Sequence, residues 1–147
     1  MKLDRISKHA WLPLSAVLLF ATSAFAPYSN IAVAADIKVT MSGAQEVPPV
    51  TSAGAGTGTI TIGADKSVSG SVTTTGIIAT AAHIHEGAMG ANGPVIIPLA
   101  KNGDTYAVPP GAKLTDAQFA SFQAGKLYVN AHTAANPGGE IRGQLKP

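Results

Sequence analysis

The chain has 147 residues, a length that suits a single domain, and carries ten Lys and Arg against eight Asp and Glu. It has no cysteine, which excludes disulfides and thiolate metal sites. Beyond the first eight residues Lys and Arg are scattered, and this excludes the basic patch by which proteins bind nucleic acid.

Residues 1–35 have the pattern of a secretory signal peptide. Three basic residues precede the apolar run WLPLSAVLLFATSAFA. The small residues of IAVAAD then offer a cleavage site after Ala34 or Ala35, whereas Pro27 disfavours a cut after Ala26. An uncleaved anchor is the alternative, but the run is short for a membrane span of about 20 residues and contains a proline.

Removal of this leader leaves residues 36–147 with seven basic and seven acidic side chains. The excess positive charge therefore belongs to the leader. We expect a mature protein that is periplasmic or secreted, with no attachment to a membrane and no nucleic-acid partner.

Alternation of apolar and polar residues with period two dominates the mature part. The alternating segments are DIKVTMSG, TGTITIG, SVSGSVTTTG, KLYVNAHT and GEIRGQL, and GPVIIPLA is a nearly continuous apolar run. Turn-forming Gly and Pro separate them, as in EVPPV, ANGP, VPPG and NPGG. Seven or eight short strands at this spacing predict an all-β protein, an immunoglobulin-like or Greek-key antiparallel β-sandwich or barrel.

One segment, LTDAQFASFQAGK, departs from this pattern and predicts a short helix. Thr115 is a suitable N-cap, with Gln118 three residues later as its capping-box partner. Gly125 would end the helix. Phe119 and Phe122, three residues apart, would pack on the sheet.

The stretch AAHIHEGAMGANGPV holds the first candidate site. His83 and His85 alternate with Ile84, so on a strand both imidazoles share one face while Ile84 enters the core. His132 lies in YVNAHT, on a strand that we expect to be a neighbour. All histidines of the mature part fall in these two motifs. Three imidazoles suit a copper or zinc ion with one coordination position left open.

Three interpretations of these histidines remain open. They could form the metal site of a non-enzymatic binding module. They could instead be solvated or bonded to the backbone, where they would organise the glycine-rich loop of a structural or protein-interaction module. A mononuclear copper oxidoreductase is the third interpretation. Hydrolase chemistry is not among them, because the chain has no nucleophile motif of a hydrolase.

The motif GGEIRG adds charged candidates. Glu140 could be a fourth metal ligand or a partner of a ligand, because a hairpin would bring it opposite His132. Glu140 and Arg142 also share a strand face, where a surface ion pair worth about 0–1 kcal/mol is the favoured interpretation and a charged pair beside the histidines the alternative. Glu46, in GAQEVPPV, is expected to frame an edge or loop and not to bind a ligand.

Three motifs together resemble the CHRD domain, the family named after chordin: SGAQEVPPVTSAGAGTGTITI, ATAAHIHEGAMGANGPVIIPL and LYVNAHTAANPGGEIRGQL. The resemblance covers residues 37–145, in the order in which the family has these motifs. It implies an immunoglobulin-like β-sandwich or barrel, and the family also occurs in many exported microbial proteins. In chordin such domains accompany modules that bind growth factors, and this chain carries no such companion.

AAHIHEG also resembles the copper-ligand strand of copper–zinc superoxide dismutases. That resemblance implies that His83 and His85 match the paired copper ligands and that His132 loosely matches a later one. The bridging histidine, the zinc-site residues and the disulfide cysteines of that family are missing. The resemblance therefore implies at most a mononuclear site with three histidines.

Overall fold

A computed structural model describes residues 35–147, and this part of the chain contains nine strands, one α-helix and one 3₁₀ turn. The strands are β1 (Ala35–Ser42), β2 (Ala55–Ile62), β3 (Val68–Thr75), β4 (Ala79–Glu86), β5 (Val95–Pro98), β6 (Ala100–Asn102), β7 (Thr105–Ala107), β8 (Leu127–Thr133) and β9 (Ile141–Leu145). The 3₁₀ turn is Gly43–Gln45 and the helix α1 is Asp116–Gln123. The predicted leader lies outside the described residues, apart from Ala35, and stays a prediction. Across residues 35–147, no helix is both long and apolar enough to cross a bilayer.

All strands join one antiparallel sheet in the order β5-β4-β8-β9-β1-β2-β3-β7-β6. The two ends of this sheet approach each other. Lys101 Nζ on β6 and Tyr106 Oη on β7 each donate a hydrogen bond of 2.6 Å to the carbonyl oxygen of Ala79 on β4. The sheet is thus a nearly closed barrel, which confirms the predicted all-β class with one short helix.

The core forms from the apolar half of each alternating segment. On β1, β2 and β8, eight inward apolar side chains are at most 5% exposed: Ile37, Val39, Met41, Ile60, Ile62, Leu127, Val129 and Ala131. Burial of one Val, Leu or Ile side chain contributes about 1.5–3 kcal/mol to folding. The period-two pattern therefore decides which face of each strand turns inward.

The helix α1 follows its sequence signals. Gln118 N–H donates to Thr115 Oγ1 (3.2 Å), and Thr115 N–H donates to Gln118 Oε1 (2.9 Å), which completes the capping box. Gly125, at φ +67°, follows the helix. Phe122 is buried and Phe119 packs partly against the core, as predicted.

The hairpin of β6 and β7 is an element that the sequence analysis did not single out. Asn102 pairs with Thr105, so Gly103 and Asp104 form a two-residue turn. Gly103 has φ +61°, the conformation that a Gly-x hairpin turn requires. Its signal was the Asn-Gly-Asp sequence between short polar segments, and the hairpin carries the fully buried Tyr106.

Candidate metal centre

The three histidines lie on the outer face of two adjacent strands. In the antiparallel pair of β4 and β8, His83 lies opposite Asn130 and Ala81 opposite His132. His132 is therefore diagonal to His83 on the same face. Ile84 points into the core and is 1% exposed. The two strands are neighbours, as predicted.

The imidazole rings form one group. One nitrogen from each of His83, His85 and His132 can be chosen so that all three lie within 4.8 Å of one another. Ring centroids are 4.8 Å apart for His83 and His132, 5.7 Å for His83 and His85, and 6.2 Å for His85 and His132. The structure thus brings together the three histidines that the sequence predicted as metal ligands.

Backbone carbonyls fix the tautomers of two of these rings. His85 Nδ1 lies 2.9 Å from the Gly93 carbonyl oxygen, and His132 Nδ1 lies 3.0 Å from that of Pro137. Because a carbonyl oxygen can only accept, both Nδ1 atoms donate and each Nε2 keeps its lone pair. His83 Nδ1 then donates to His132 Nε2 at 3.0 Å. His132 Nε2 accepts this hydrogen bond, so the Nε2 atoms of His83 and His85 are the ones that keep an unengaged lone pair for a metal ion, and His132 Nε2 becomes available once the bond from His83 is broken.

The surroundings favour neutral imidazoles. Burial lowers the pKa of His83, and the neighbouring His132 and His85 lower it further. Burial also lowers the pKa of His85, and this outweighs the opposing hydrogen bond to Gly93. Neutral imidazole is the form that binds a metal ion, so both rings are in the competent state at neutral pH.

His85 presents its lone pair inside the protein without a partner. The residue is 7% exposed, and its Nε2 atom has no hydrogen bond. Within residues 35–147, the other buried side-chain polar atoms without a hydrogen-bond partner are Glu46 Oε1 and Asn130 Oδ1. An unsatisfied buried polar atom costs about 1–3 kcal/mol, so a ligand at His85 Nε2 would remove a penalty.

A stack of side chains supports His85 from behind. The Tyr128 ring is parallel to the His85 ring within 9°, with centroids 4.8 Å apart. On the neighbouring strand β9, the guanidinium carbon of Arg142 lies 3.4 Å from the centroid of the Tyr128 ring. Tyr128 Oη also accepts a hydrogen bond of 3.2 Å from Gly93 N–H. This role of Tyr128 could not be predicted from the sequence, because it depends on the cross-strand pairing of His85 with Tyr128.

Arg142 anchors the loop formed by residues 87–94. It is 1% exposed. Its guanidinium donates to four oxygen atoms: Ala88 O (2.9 Å), Ala91 O (3.0 Å), Gln144 Oε1 (3.1 Å) and Asn92 Oδ1 (3.4 Å). The favoured interpretation of Arg142 as half of a surface ion pair with Glu140 is wrong. The loop folds over β9, and the guanidinium of Arg142 donates its hydrogen bonds to oxygen atoms of the loop and of Gln144.

This loop also passes very close to β4. A Cβ atom on Gly93 would lie 1.6 Å from the carbonyl oxygen of Glu86, so only glycine fits there. The close approach places the Gly93 carbonyl against His85 Nδ1. The glycine-rich sequence after the two histidines thus serves to orient one of them.

Glu140 lies in a different cluster. Its carboxylate accepts hydrogen bonds from Thr133 Oγ1 (2.5 Å), Ser52 Oγ (2.6 Å) and Asn136 Nδ2 (3.1 Å). These hydrogen bonds lower the pKa of the Glu140 carboxyl. Glu140 is not part of the group of three histidines. Its part in metal binding stays a prediction, and the geometry of the centre is built from histidines alone.

Comparison with known proteins identifies the family. The sequence model of the CHRD domain family matches residues 37–145, which is most of the chain. This confirms the resemblance that the three motifs gave. Neither the curated proteins nor the solved structures contain a match to this chain.

Proposed function

The chain belongs to the CHRD domain family, and from this premise we propose that it is an exported, non-enzymatic module that binds one copper or zinc ion through His83, His85 and His132. The observation that carries the proposal is the convergence of three imidazole nitrogens within 4.8 Å. Copper and zinc suit a site that offers imidazole without thiolate. The leader-like residues 1–35 support export.

The hydrogen bonds of the site support a division of roles among the ligands. His85 and His132 are oriented by backbone carbonyls, as ligating histidines commonly are. His83 has no such anchor, and its hydrogen bond to His132 Nε2 uses the lone pair that a metal ion would need. Metal binding would therefore break this hydrogen bond and turn His83 toward the ion.

Metal binding requires the rings to move. Zinc–nitrogen bonds are about 2.0–2.1 Å long and the ion is tetrahedral, so two ligand nitrogens on one ion lie about 3.3–3.4 Å apart. The nitrogens of the group lie within 4.8 Å of one another, which is more than 1 Å beyond this spacing. Rotation of the imidazole rings, with His83 the one that no backbone carbonyl anchors, would bring the nitrogens together.

A structural role is the second candidate, and a specific observation favours it. Two of the three imidazoles are bonded to loop carbonyls, those of Gly93 and Pro137. The rings would then hold two loops in place without a metal, in a module that recognises a protein partner. Metal titration separates this role from the first.

The test is isothermal titration of the mature protein, residues 36–147, with copper(II) and zinc(II). We expect one ion per chain, and loss of binding in the variant His83→Ala, His85→Ala, His132→Ala. Glu140→Gln tests the predicted fourth ligand, and native affinity in this variant would leave the three histidines as the ligands. Absent binding, or unchanged binding in the triple variant, would leave the structural role, and loss in Glu140→Gln would make that carboxylate a fourth ligand.

A further inference from the structure

Asn130 lies among the three histidines and has an oxygen atom without a partner. On β8 it is two residues before His132 and directly opposite His83 of β4, and His85 is diagonal to it on the same outward face. The residue is 2% exposed, and its Oδ1 atom forms no hydrogen bond with the described residues. A buried acceptor without a donor is destabilising, so packing alone does not explain an asparagine at this position.

The amide of Asn130 has a definite orientation. A Cβ atom at Gly139 would lie 2.5 Å from Glu46 Oε1 and 2.7 Å from Asn130 Nδ2, so the amide nitrogen and the Glu46 carboxyl border the same spot. Burial raises the pKa of the Glu46 carboxyl and lowers that of His85. Against these effects, the Asn130 side chain lowers the former pKa, as a donor does, and raises the latter, as an acceptor does. The Oδ1 atom therefore faces His85.

Two lone pairs thus face each other in a buried space. His85 Nδ1 donates its proton to the Gly93 carbonyl oxygen, so His85 Nε2 is an acceptor, as is Asn130 Oδ1. Neither atom has a hydrogen-bond partner among residues 35–147. Two buried acceptors that face each other repel, and a cation between them would replace this repulsion by attraction to both.

Glu140, the carboxylate that the sequence predicts as a fourth ligand, is less available than this amide oxygen. Both of its carboxylate oxygens accept hydrogen bonds within a separate cluster, from Ser52, Thr133 and Asn136. A metal ion would compete with these donors. Asn130 Oδ1, in contrast, loses no hydrogen bond when it binds a metal ion.

We propose that Asn130 Oδ1 is the fourth ligand of the metal centre and that this centre holds copper(II). The inference rests on the proposed site of His83, His85 and His132 and adds the oxygen to it. Three imidazoles and one carbonyl oxygen form a mixed nitrogen and oxygen donor set, which is the kind that copper(II) takes in tetragonal geometry. The ion would satisfy both facing acceptors, His85 Nε2 and Asn130 Oδ1, at once.

The test is pulsed electron paramagnetic resonance of the mature protein loaded with one equivalent of copper(II), with the side-chain carbonyl carbon of asparagine labelled with carbon-13. We expect couplings to imidazole nitrogens and a strong coupling to one asparagine carbon, which requires its oxygen to be bonded to the copper. Asn130→Leu should abolish the carbon coupling and weaken copper binding about tenfold or more. Asn102→Leu, at an exposed asparagine on β6, is the matched control and should change neither.

The outcomes separate this inference from the proposed function. Imidazole couplings without the carbon coupling, a carbon coupling that persists in Asn130→Leu, or native copper affinity in that variant would each overturn the role of Asn130 and leave the histidines as ligands. Copper without imidazole couplings would overturn the metal centre itself. If Asn130→Leu does not fold, Asn130→Asp keeps the shape and the oxygen but removes the labelled amide, and loss of the carbon coupling in that variant decides.

Discussion

The outer faces of two strand pairs in this barrel carry similar sequence patterns in different surroundings. On β1 and β2 the outward residues are exposed or half-buried and pair locally, with Lys38 Nζ donating to Thr59 Oγ1 (2.9 Å) and Thr61 Oγ1 to Asp36 Oδ1 (2.7 Å). On β8 the outward residues Tyr128 and Asn130 are each 2% exposed. The same alternation produces a solvated face in one place and a buried polar network in the other.

The loops account for this difference. Residues 87–94 fold back over β4, β8 and β9, where Arg142 holds their carbonyl oxygens. The polar side chains beneath are thereby removed from water and must find partners in the protein. This is why the face of β4 and β8 has perturbed histidine pKa values and unsatisfied atoms, which are features typical of a functional site.

The largest expected effect concerns Arg142. In Arg142→Met the carbonyl oxygens that the guanidinium satisfies lose their donors, and we expect the free energy of unfolding to fall by about 3 kcal/mol or more. Urea unfolding measures this change. Lys38→Met on the exposed face is the matched control, with an expected change within about 0.5 kcal/mol. Equal losses in the two variants would contradict the distinction between the faces.

Gly93→Ala should give the second largest effect. Its Cβ atom would collide with the Glu86 carbonyl oxygen, and we expect a loss of about 1–3 kcal/mol in urea unfolding. Displacement of the Gly93 carbonyl from His85 should also weaken zinc binding by about 10–100-fold. Gly138→Ala is the control, since nothing lies within 4 Å of the added atom. Native stability in Gly93→Ala would show that the loop does not constrain the histidine face.

The smallest expected effect depends on pH. The pKa values of His83 and His85 are lowered in the folded chain, so the unfolded chain binds protons first as the pH falls below about 6.5. The free energy of unfolding of the metal-free protein should therefore decrease from about pH 7.5 to about pH 5. In His83→Gln, His85→Gln this decrease should be smaller, as measured by urea unfolding. An identical pH dependence in both proteins would rule out the lowered pKa values.

Local patterns made part of this structure predictable. Period two places His83 and His85 on one face without any knowledge of the fold. The capping box at Thr115 likewise depends on residues three positions apart. Such features follow from short-range geometry, which the sequence states directly.

Long-range contacts could not be predicted in the same way. The burial of Arg142 depends on where the loop at residues 87–94 folds, and its partners include backbone carbonyls, which leave no mark in the sequence. The stack of Tyr128 on His85 depends on the register of β4 against β8. The unpartnered oxygen of Glu46 is likewise visible only once the strands and loops are in place.

The most direct test of the metal centre is a crystal structure of the mature protein grown with zinc, with anomalous scattering recorded at the zinc edge. We expect a single anomalous peak about 2.0–2.1 Å from Nε2 of His85, from Nε2 of His132 and from one nitrogen of His83. We also expect the hydrogen bond from His83 Nδ1 to His132 Nε2 to be broken. Crystals in which this hydrogen bond persists and no zinc lies among the three rings would contradict the proposed metal centre.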